Sequence, residues 1–286
     1  MSSLLAKANA LEHEGITTFI FTGSYEIPVK TLTGSVRSDL VLIDKVIGAG
    51  EVAVSDHRSS QPTFAEFARL AAECRVGGML GGKAGILHCH LGSGSRKLEL
   101  LFRLLKETEI PATQIVPTHI NRSPSLLEEG INFIELGGYI DMTAGPDPDP
   151  PSGEHLSVAQ SVHLCRERQA SLSRISVSSD SNGSMPVFDA EGRLTGLTIA
   201  TQASLLANFR HLISSDAATI PEALRLFTLN PAACYRLMGK GEIKAGNDAD
   251  LIAFDRDWNL TDVFARGRVM MVDGHLQAGG TFSAVL

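Results

Sequence analysis

Four cysteines (Cys74, Cys89, Cys165 and Cys234) are scattered through 286 residues with no C-x-x-C pair among them. No disulfide framework is legible, and they are read as reduced, mostly buried thiols of a cytoplasmic protein. The chain also lacks a basic patch. Its net charge is −7, so nucleic acid, which needs a cationic footprint, is not expected as a partner. No apolar run approaches the length of a bilayer span, so no membrane partner is expected either. The opening stretch "MSSLLAKANALEHEG" has no apolar core and is read as something other than a signal peptide. No tract resembles disorder or low complexity. What remains is ordinary globular composition, 43% hydrophobic and 20% charged with mixed sign, in a chain long enough for one large domain or two small ones.

Short β-rich runs alternate with amphipathic segments. Strands are expected at "ITTFIFTG", "GEVAVSDH", "GILHCHLG", "QIVPTHI", "GYIDMTAG" and "RISVSSD". Helices are expected between them at "SDLVLIDKVI", "PTFAEFARLAAECRV", "KLELLFRLLKE", "SPSLLEEGINFIEL" and "LSVAQSVHLCRERQ". Ser123 and Pro124 read as N-cap and first residue of one helix. Two further helical stretches lead to "GNDADLIAFD" and "FARGRVMMVDG", a strand pair with turn signals. Alternation of this kind means βαβ units and a parallel sheet. Both a doubly wound sheet and a barrel satisfy it. Polar residues end nearly every strand (Tyr25, His57, His90, His119, Thr143 and Asp180), which is how a TIM barrel assembles a site. The Gly-rich "GMLGGKAG" precedes a strand instead of opening a helix, so a dinucleotide fold is the weaker reading. The barrel is preferred.

Two imidazoles and a carboxylate, His90, His119 and Asp180, come from three separate strand ends and suit Zn²⁺ or a similar divalent metal. Alone, each has an ordinary structural reading; the repetition of strand, His or Asp, then polar loop is what points to a site. Metal-assisted hydrolysis fits, since a metal lowers the pKa of water and polarises a carbonyl, and Asp180 is the candidate proton shuttle. Arg58 and Arg122 follow strand ends and suggest a clamp on a substrate carboxylate. Tyr25 and Ser184 could donate hydrogen bonds to an oxyanion or to substrate.

"TGSYEIPVKTLTGSV", "DKVIGAGEVAVSDHRS", "RVGGMLGGKAG", "VPTHINR", "SSDSNGS" and "GKGEIKAGNDADL" resemble, in order and across essentially the whole chain, the isoaspartyl dipeptidases of the amidohydrolase superfamily. The resemblance implies a (β/α)₈ barrel with a small β domain and a binuclear zinc site that cleaves β-aspartyl dipeptides. Carried over, His90 and His119 would bind one metal, and Asp180 would bind the other and act as general acid/base. Arg58 and Arg122 would hold the free α-carboxylate, Tyr25 would polarise the scissile carbonyl, and Ser184 would contact substrate. "HCHLG" matches barrel strand 5, where only the second histidine is a ligand. His88 shares the face of His90 one layer deeper and is read as a core histidine.

The chain departs from that pattern twice. The family's bridging carbamylated lysine falls on Glu51 when counted back from "SDHRS"; Lys45 is out of register. A glutamate supplies similar charge on a shorter arm. In addition, only about six βα units precede the C-terminal strands, and no strand-1 His-x-His is present. The expected architecture is therefore an N-terminally incomplete amidohydrolase barrel over residues 1–240, followed by the C-terminal strands of a small β domain over 241–286. One zinc or fewer is expected for this chain alone, and a homo-oligomer for the complete enzyme. The alternatives are an amidohydrolase acting on cyclic amides, or a catalytically inactive fragment or scaffold.

Overall fold

The computed structural model describes residues 1–150, 155–188 and 193–279. After an N-terminal helix α1 (Ser2–His13), six parallel strands alternate with five helices: β1 (Ile20–Thr22), α2 (Val36–Leu42), β2 (Val46–Val54), α3 (Phe64–Gly81), β3 (Ile86–Leu91), α4 (Glu99–Glu107), β4 (Ile115–Thr118), α5 (Pro124–Glu135), β5 (Ile140–Thr143), α6 (Val158–Glu167) and β6 (Ile175–Ser178). The first four strands pair in sequential order and the last two pair with each other, with β5 beside β4. Sequential parallel order with a helix after each strand is the arrangement of a TIM barrel, here an arc of six βα units.

The helix boundaries follow local chemistry. Ser35, Thr63 and Ser157 cap α2, α3 and α6, each as half of a reciprocal capping box. Ser123 caps α5 with Pro124 in its first turn, as the sequence predicts. Two expectations are corrected. The helix expected through Ile47 stops at Leu42, because the chain turns at Ile43–Lys45 and enters β2 at Val46. The helix expected to end at Val76 continues through Gly77–Gly81, the last turns of α3. A Cβ on Gly77 would lie 2.8 Å from Leu40 Cδ1, so glycine here lets α3 pack closely on α2.

The larger of two core clusters runs through the helices and outward-facing strand residues, with Leu40, Phe67, Cys89, Leu101, Ile115 and Phe133 fully buried; the smaller gathers Ala84, Ile86, Val116 and Cys234. Beyond β6 an antiparallel hairpin, β7 (Ser184–Phe188) with β8 (Leu194–Ile199), was not anticipated. Helices α7 (Ala203–Ser214), α8 (Ile220–Phe227) and α9 (Leu229–Cys234) follow, and α8 and α9 return to β6. The C-terminal sheet is antiparallel in the order β12-β11-β10-β9, from β9 (Leu251–Phe254), β10 (Leu260–Ala265), β11 (Arg268–Val272) and β12 (His275–Leu276). It is tied to α1 by Arg266 Nη1 on Glu12 Oε1 at 2.6 Å. No helix among the described residues is long and apolar enough to cross a membrane.

Candidate active site

The side chains singled out by the sequence gather at the C-terminal ends of β1–β5, where a barrel exposes its site. Glu51 reaches it through an irregular strand. Ala49 stands opposite Leu87, but Val52 stands opposite Cys89, so β2 carries one residue more than β3 over this interval. That is a β-bulge. Gly50 permits it: its φ is +151°, and a Cβ there would lie 2.7 Å from the carbonyl oxygen of His88. Beyond the bulge, Glu51 Oε1 is 3.1 Å from His119 Nε2 and 3.5 Å from His90 Nδ1. Glu51, His90 and His119 are the one group of three potential ligands found among the described residues, with ligand atoms all within 4.8 Å of one another. A carboxylate oxygen and two imidazole nitrogens at that spacing fit a divalent cation such as zinc.

The histidines are fixed by their outer nitrogens. His119 has a left-handed backbone, φ 62°, where β4 breaks into a 3-10 turn at Ile120–Arg122. Its Nδ1 is 2.6 Å from Thr143 Oγ1 at the end of β5. His90 Nδ1 is 3.0 Å from the Tyr25 hydroxyl, and Tyr25 is itself anchored where its carbonyl accepts from the Ala53 N–H. His90 Nε2 is 3.1 Å from Asp56 Oδ2. The strand-end ring anticipated His57 after β2, but that side chain is 85% exposed; the residue facing the site is Asp56. Its position two residues before Arg58 in "SDHRS" was the available signal. His88, one layer deeper and half-buried, stacks on Phe21 at 5.1 Å and meets the Tyr235 hydroxyl through Nδ1 at 3.3 Å.

The charges sort by environment. Burial works against the charge of Glu51, yet hydrogen bonds from His119 and His90 hold its carboxyl well below the usual range. Asp56 is held low as well, chiefly by the Arg58 guanidinium. Burial, then the Glu51 charge, push the Tyr25 hydroxyl up to about 12, so it stays a donor at neutral pH. Arg58 sits 5.3 Å over the Tyr25 ring. Arg122 is driven down by burial and then by the neighbouring Arg58. Its Nε is the one buried side-chain polar atom without a hydrogen-bond partner among the described residues.

Two expected residues stand apart. Asp180 follows β6 with a left-handed φ of 49°. It is exposed and outside the three-residue cluster, although its charge acts on Tyr25 and Arg122. Ser184 is exposed at the start of the unanticipated hairpin.

The model of the amidohydrolase family matches residues 48–276. Among solved structures, the chain is similar to the beta-aspartyl dipeptidase of the thermophilic, keratin-degrading Fervidobacterium islandicum AW-1 in complex with beta-Asp-Leu dipeptide. The TM-score is 0.89 and the identity 41%, over 98% of this chain and 72% of that one. A second structure of beta-aspartyl dipeptidase from that organism gives 0.87 and 39%, over 98% and 71%. An adenosine deaminase from Xanthomonas campestris with bound zinc shares the fold at a TM-score of 0.55 and 14% identity, over 94% of this chain and 64% of that one.

Proposed function

The chain belongs to the amidohydrolase family, and from that premise we propose that it hydrolyses β-aspartyl dipeptides with a divalent metal, zinc, held by Glu51, His90 and His119. The observation that carries the substrate class is the pair of arginines beside the cluster. Arg122 presents a buried Nε with no protein partner next to a second guanidinium, an arrangement that asks for an anion from outside. The free α-carboxylate of a β-linked aspartate is such an anion, and bidentate capture by Arg58 and Arg122 would orient the isopeptide bond. A cyclic amide without a carboxylate leaves Arg122 unanswered.

In this reading the metal, when bound, supplies Lewis acidity for attack of water on the β-carbonyl. Tyr25, protonated and within reach of His90 Nδ1, would turn its hydroxyl to the carbonyl oxygen as charge develops there. The carbon–nitrogen bond breaks as the new carbon–oxygen bond is completed. Asp180 would take a proton from the attacking water and return it to the leaving amine. Ser184 would contact the substrate. Residues 1–240 would form the catalytic barrel and 241–286 the small β domain, in a cytoplasmic homo-oligomer.

A second reading, a metal-binding chain without turnover, is favoured by the exposure of Asp180 and its place outside the three-residue cluster. One experiment separates the readings. β-Asp-Leu, α-Asp-Leu, hydantoin and dihydroorotate are assayed side by side, before and after chelation and zinc return. Zinc-dependent cleavage of β-Asp-Leu alone supports the proposal. Equal cleavage of the α-linked isomer, or preference for a cyclic amide, overturns it, and zinc binding without turnover supports the second reading.

A further inference from the structure

Among the described residues no backbone ladder joins β4 to β5, although the two strands lie side by side. Side chains make the join. Thr118 Oγ1 donates to Asp141 Oδ2 at 2.7 Å, and His119 Nδ1 is 2.6 Å from Thr143 Oγ1. The third link is Asn121, 7% exposed, in the turn that the Arg122 N–H closes on the His119 carbonyl at 3.0 Å. Of the three, Asn121 alone grips the backbone of β5. Its Oδ1 accepts from the Thr143 N–H at 2.9 Å, and its Nδ2 donates to the Thr143 carbonyl at 3.0 Å. Nδ2 also donates to the Leu156 carbonyl at 2.9 Å, and the Asn121 carbonyl accepts from the Leu156 N–H at 3.0 Å.

An amide side chain offers one oxygen and two N–H donors, and here the oxygen and both donors are engaged. The reversed amide would set its NH₂ against an N–H and its oxygen against two carbonyls, so these partners fix its orientation. Thr143 thus takes from one side chain the N–H and C=O partners that a neighbouring strand would have supplied. The bonds to Leu156 hold Asn121 in turn against the run into α6. The Thr143 hydroxyl, carried on that clamped backbone, both donates and accepts. Its contact with His119 therefore forms whichever ring nitrogen carries the proton. It persists when Nε2, the nitrogen facing Glu51, turns its lone pair to a cation.

We propose that Asn121 is a positioning residue for the cation site. By holding the Thr143 backbone it keeps the Thr143 hydroxyl on His119 Nδ1, and so aims His119 Nε2 at the position shared with Glu51 and His90. This rests on the metal half of the reading above and on nothing about the substrate.

The test strips the full chain of metal and titrates zinc against a chromogenic chelator, with the urea midpoint of each metal-free variant measured beside it. Thr143→Val removes the hydroxyl at nearly the same shape and leaves the backbone grip. It should weaken zinc binding about 10- to 100-fold, the usual effect of losing an outer partner of a ligating histidine. Thr143→Ser should stay within about threefold of wild type, within the same range of effects. Asn121→Ala should weaken zinc binding about tenfold or more, but less than about threefold when Thr143 is already valine, because it acts through that hydroxyl. A merely structural asparagine would lower the urea midpoint and leave the zinc affinity of the folded protein unchanged, or lower the affinity by the same factor in both backgrounds; either result overturns the inference. Asn121→Ser takes the place of Asn121→Ala if the latter does not fold. If neither folds, Thr143→Val decides: weakened binding supports the inference and unchanged affinity overturns it. A wild type that binds no zinc removes the metal reading and the inference with it, whereas unchanged affinity in the variants of a zinc-binding wild type removes the inference alone. Zinc binding that depends on Asn121, in a chain that cleaves no β-aspartyl dipeptide, leaves the inference standing and removes the substrate reading.

Discussion

Arg122→Met should make the free protein more stable while disabling it. The Arg122 Nε is buried without a partner, and the guanidinium sits beside Arg58, whose charge disfavours its own. Leaving a buried donor unsatisfied costs about 1–3 kcal/mol. Methionine keeps most of the aliphatic stem and removes both the unsatisfied donor and the like-charge contact. The folded state should therefore gain on the order of 1–3 kcal/mol, seen as a higher urea midpoint at unchanged m and a rise in Tm of roughly 2–4 °C per kcal/mol. The effect on turnover has the opposite sign. Losing a charged contact to a buried carboxylate costs roughly 2–5 kcal/mol, so kcat/KM for β-Asp-Leu should fall by about a hundredfold or more. An analogue with its α-carboxylate converted to the amide should lose far less. Urea denaturation and steady-state kinetics on the same preparations check both halves. A variant less stable than wild type would mean that the guanidinium is already satisfied by the protein, and the argument for an external anion would fall with it. Equal loss on the acid and on the amide would make Arg122 structural.

Zinc should bind at about one equivalent per chain, and His119→Ala should remove most of it; two stoichiometric zincs, by elemental analysis, would contradict a three-ligand site. Asp39 accepts hydrogen bonds from Thr22 Oγ1, from the backbone of Leu32 and Thr33, and from Thr33 Oγ1. Although burial opposes its charge, these bonds hold its carboxyl below the ordinary value. Stability from such a lowered carboxylate is present above the unfolded-state pKa of about 4 and is lost as pH falls through the folded value. Asp39→Asn should thus cost about 1.5–3 kcal/mol at pH 7 and progressively less as pH falls through the folded value, by denaturation at a series of acid pH values. Asp141 is the reverse case: burial raises its pKa despite hydroxyl donors from Ser176, Ser178 and Thr118. Its favourable contribution is complete below the unfolded-state pKa and is lost as pH rises from there through the raised one, so Asp141→Asn should flatten the wild-type fall in stability across that interval, read by denaturation at a series of pH values. Gly50→Ala should lower zinc affinity by forcing Cβ against the His88 carbonyl and disturbing the bulge, and unchanged affinity would show that the bulge is dispensable.

Much of the scaffold was legible because local chemistry and tertiary need agree. The strand runs, the Ser123–Pro124 helix start and the two histidines at the ends of β3 and β4 all appear where the sequence places them. The errors have tertiary causes. Helical periodicity in "KLELLFRLLKE" puts Leu98, Leu101, Phe102 and Leu105 on one face. The fully buried stripe is Leu98, Leu101 and Leu104, with Phe102 and Leu105 only half-buried, since a three-turn helix tilts its stripe to suit its neighbours. The glycine pair Gly77–Gly78 looked like a stop, and only contact with α2 and the start of β3 explains glycine within α3. The β7–β8 hairpin carries a proline, Pro186, and the described side chains of β8 offer no buried face that alternation could report: Leu197 and Ile199 are 69% and 66% exposed. Proline is tolerated there because each strand of a two-stranded ribbon is an edge.

Glu51 is reached in the sequence by counting alone, without the physics that brings it beside the two imidazoles. Counting back from "SDHRS" reaches Glu51 by analogy, but strict alternation would deny it the role. In a parallel ladder, paired residues project to the same side, and successive residues of one strand to opposite sides. With Ala49 opposite Leu87, an unbroken β2 would set Glu51 opposite Cys89. Cys89 is fully buried in the helix-facing core, and a carboxylate there would face a large desolvation cost with no cation to meet it. The bulge resolves the conflict. Val52 takes the place opposite Cys89, Ala53 pairs with His90, and the extra residue leaves Glu51 on the side of the two imidazoles. The only trace of this in the sequence is Gly50, because no other side chain fits a φ of +151° with the His88 carbonyl 2.7 Å from its Cβ. The glycine before the glutamate therefore carries as much of the site as the glutamate itself. A period-two reading treats it as a weak strand residue, when its function is to shift the register so that a charge faces the site and not the core.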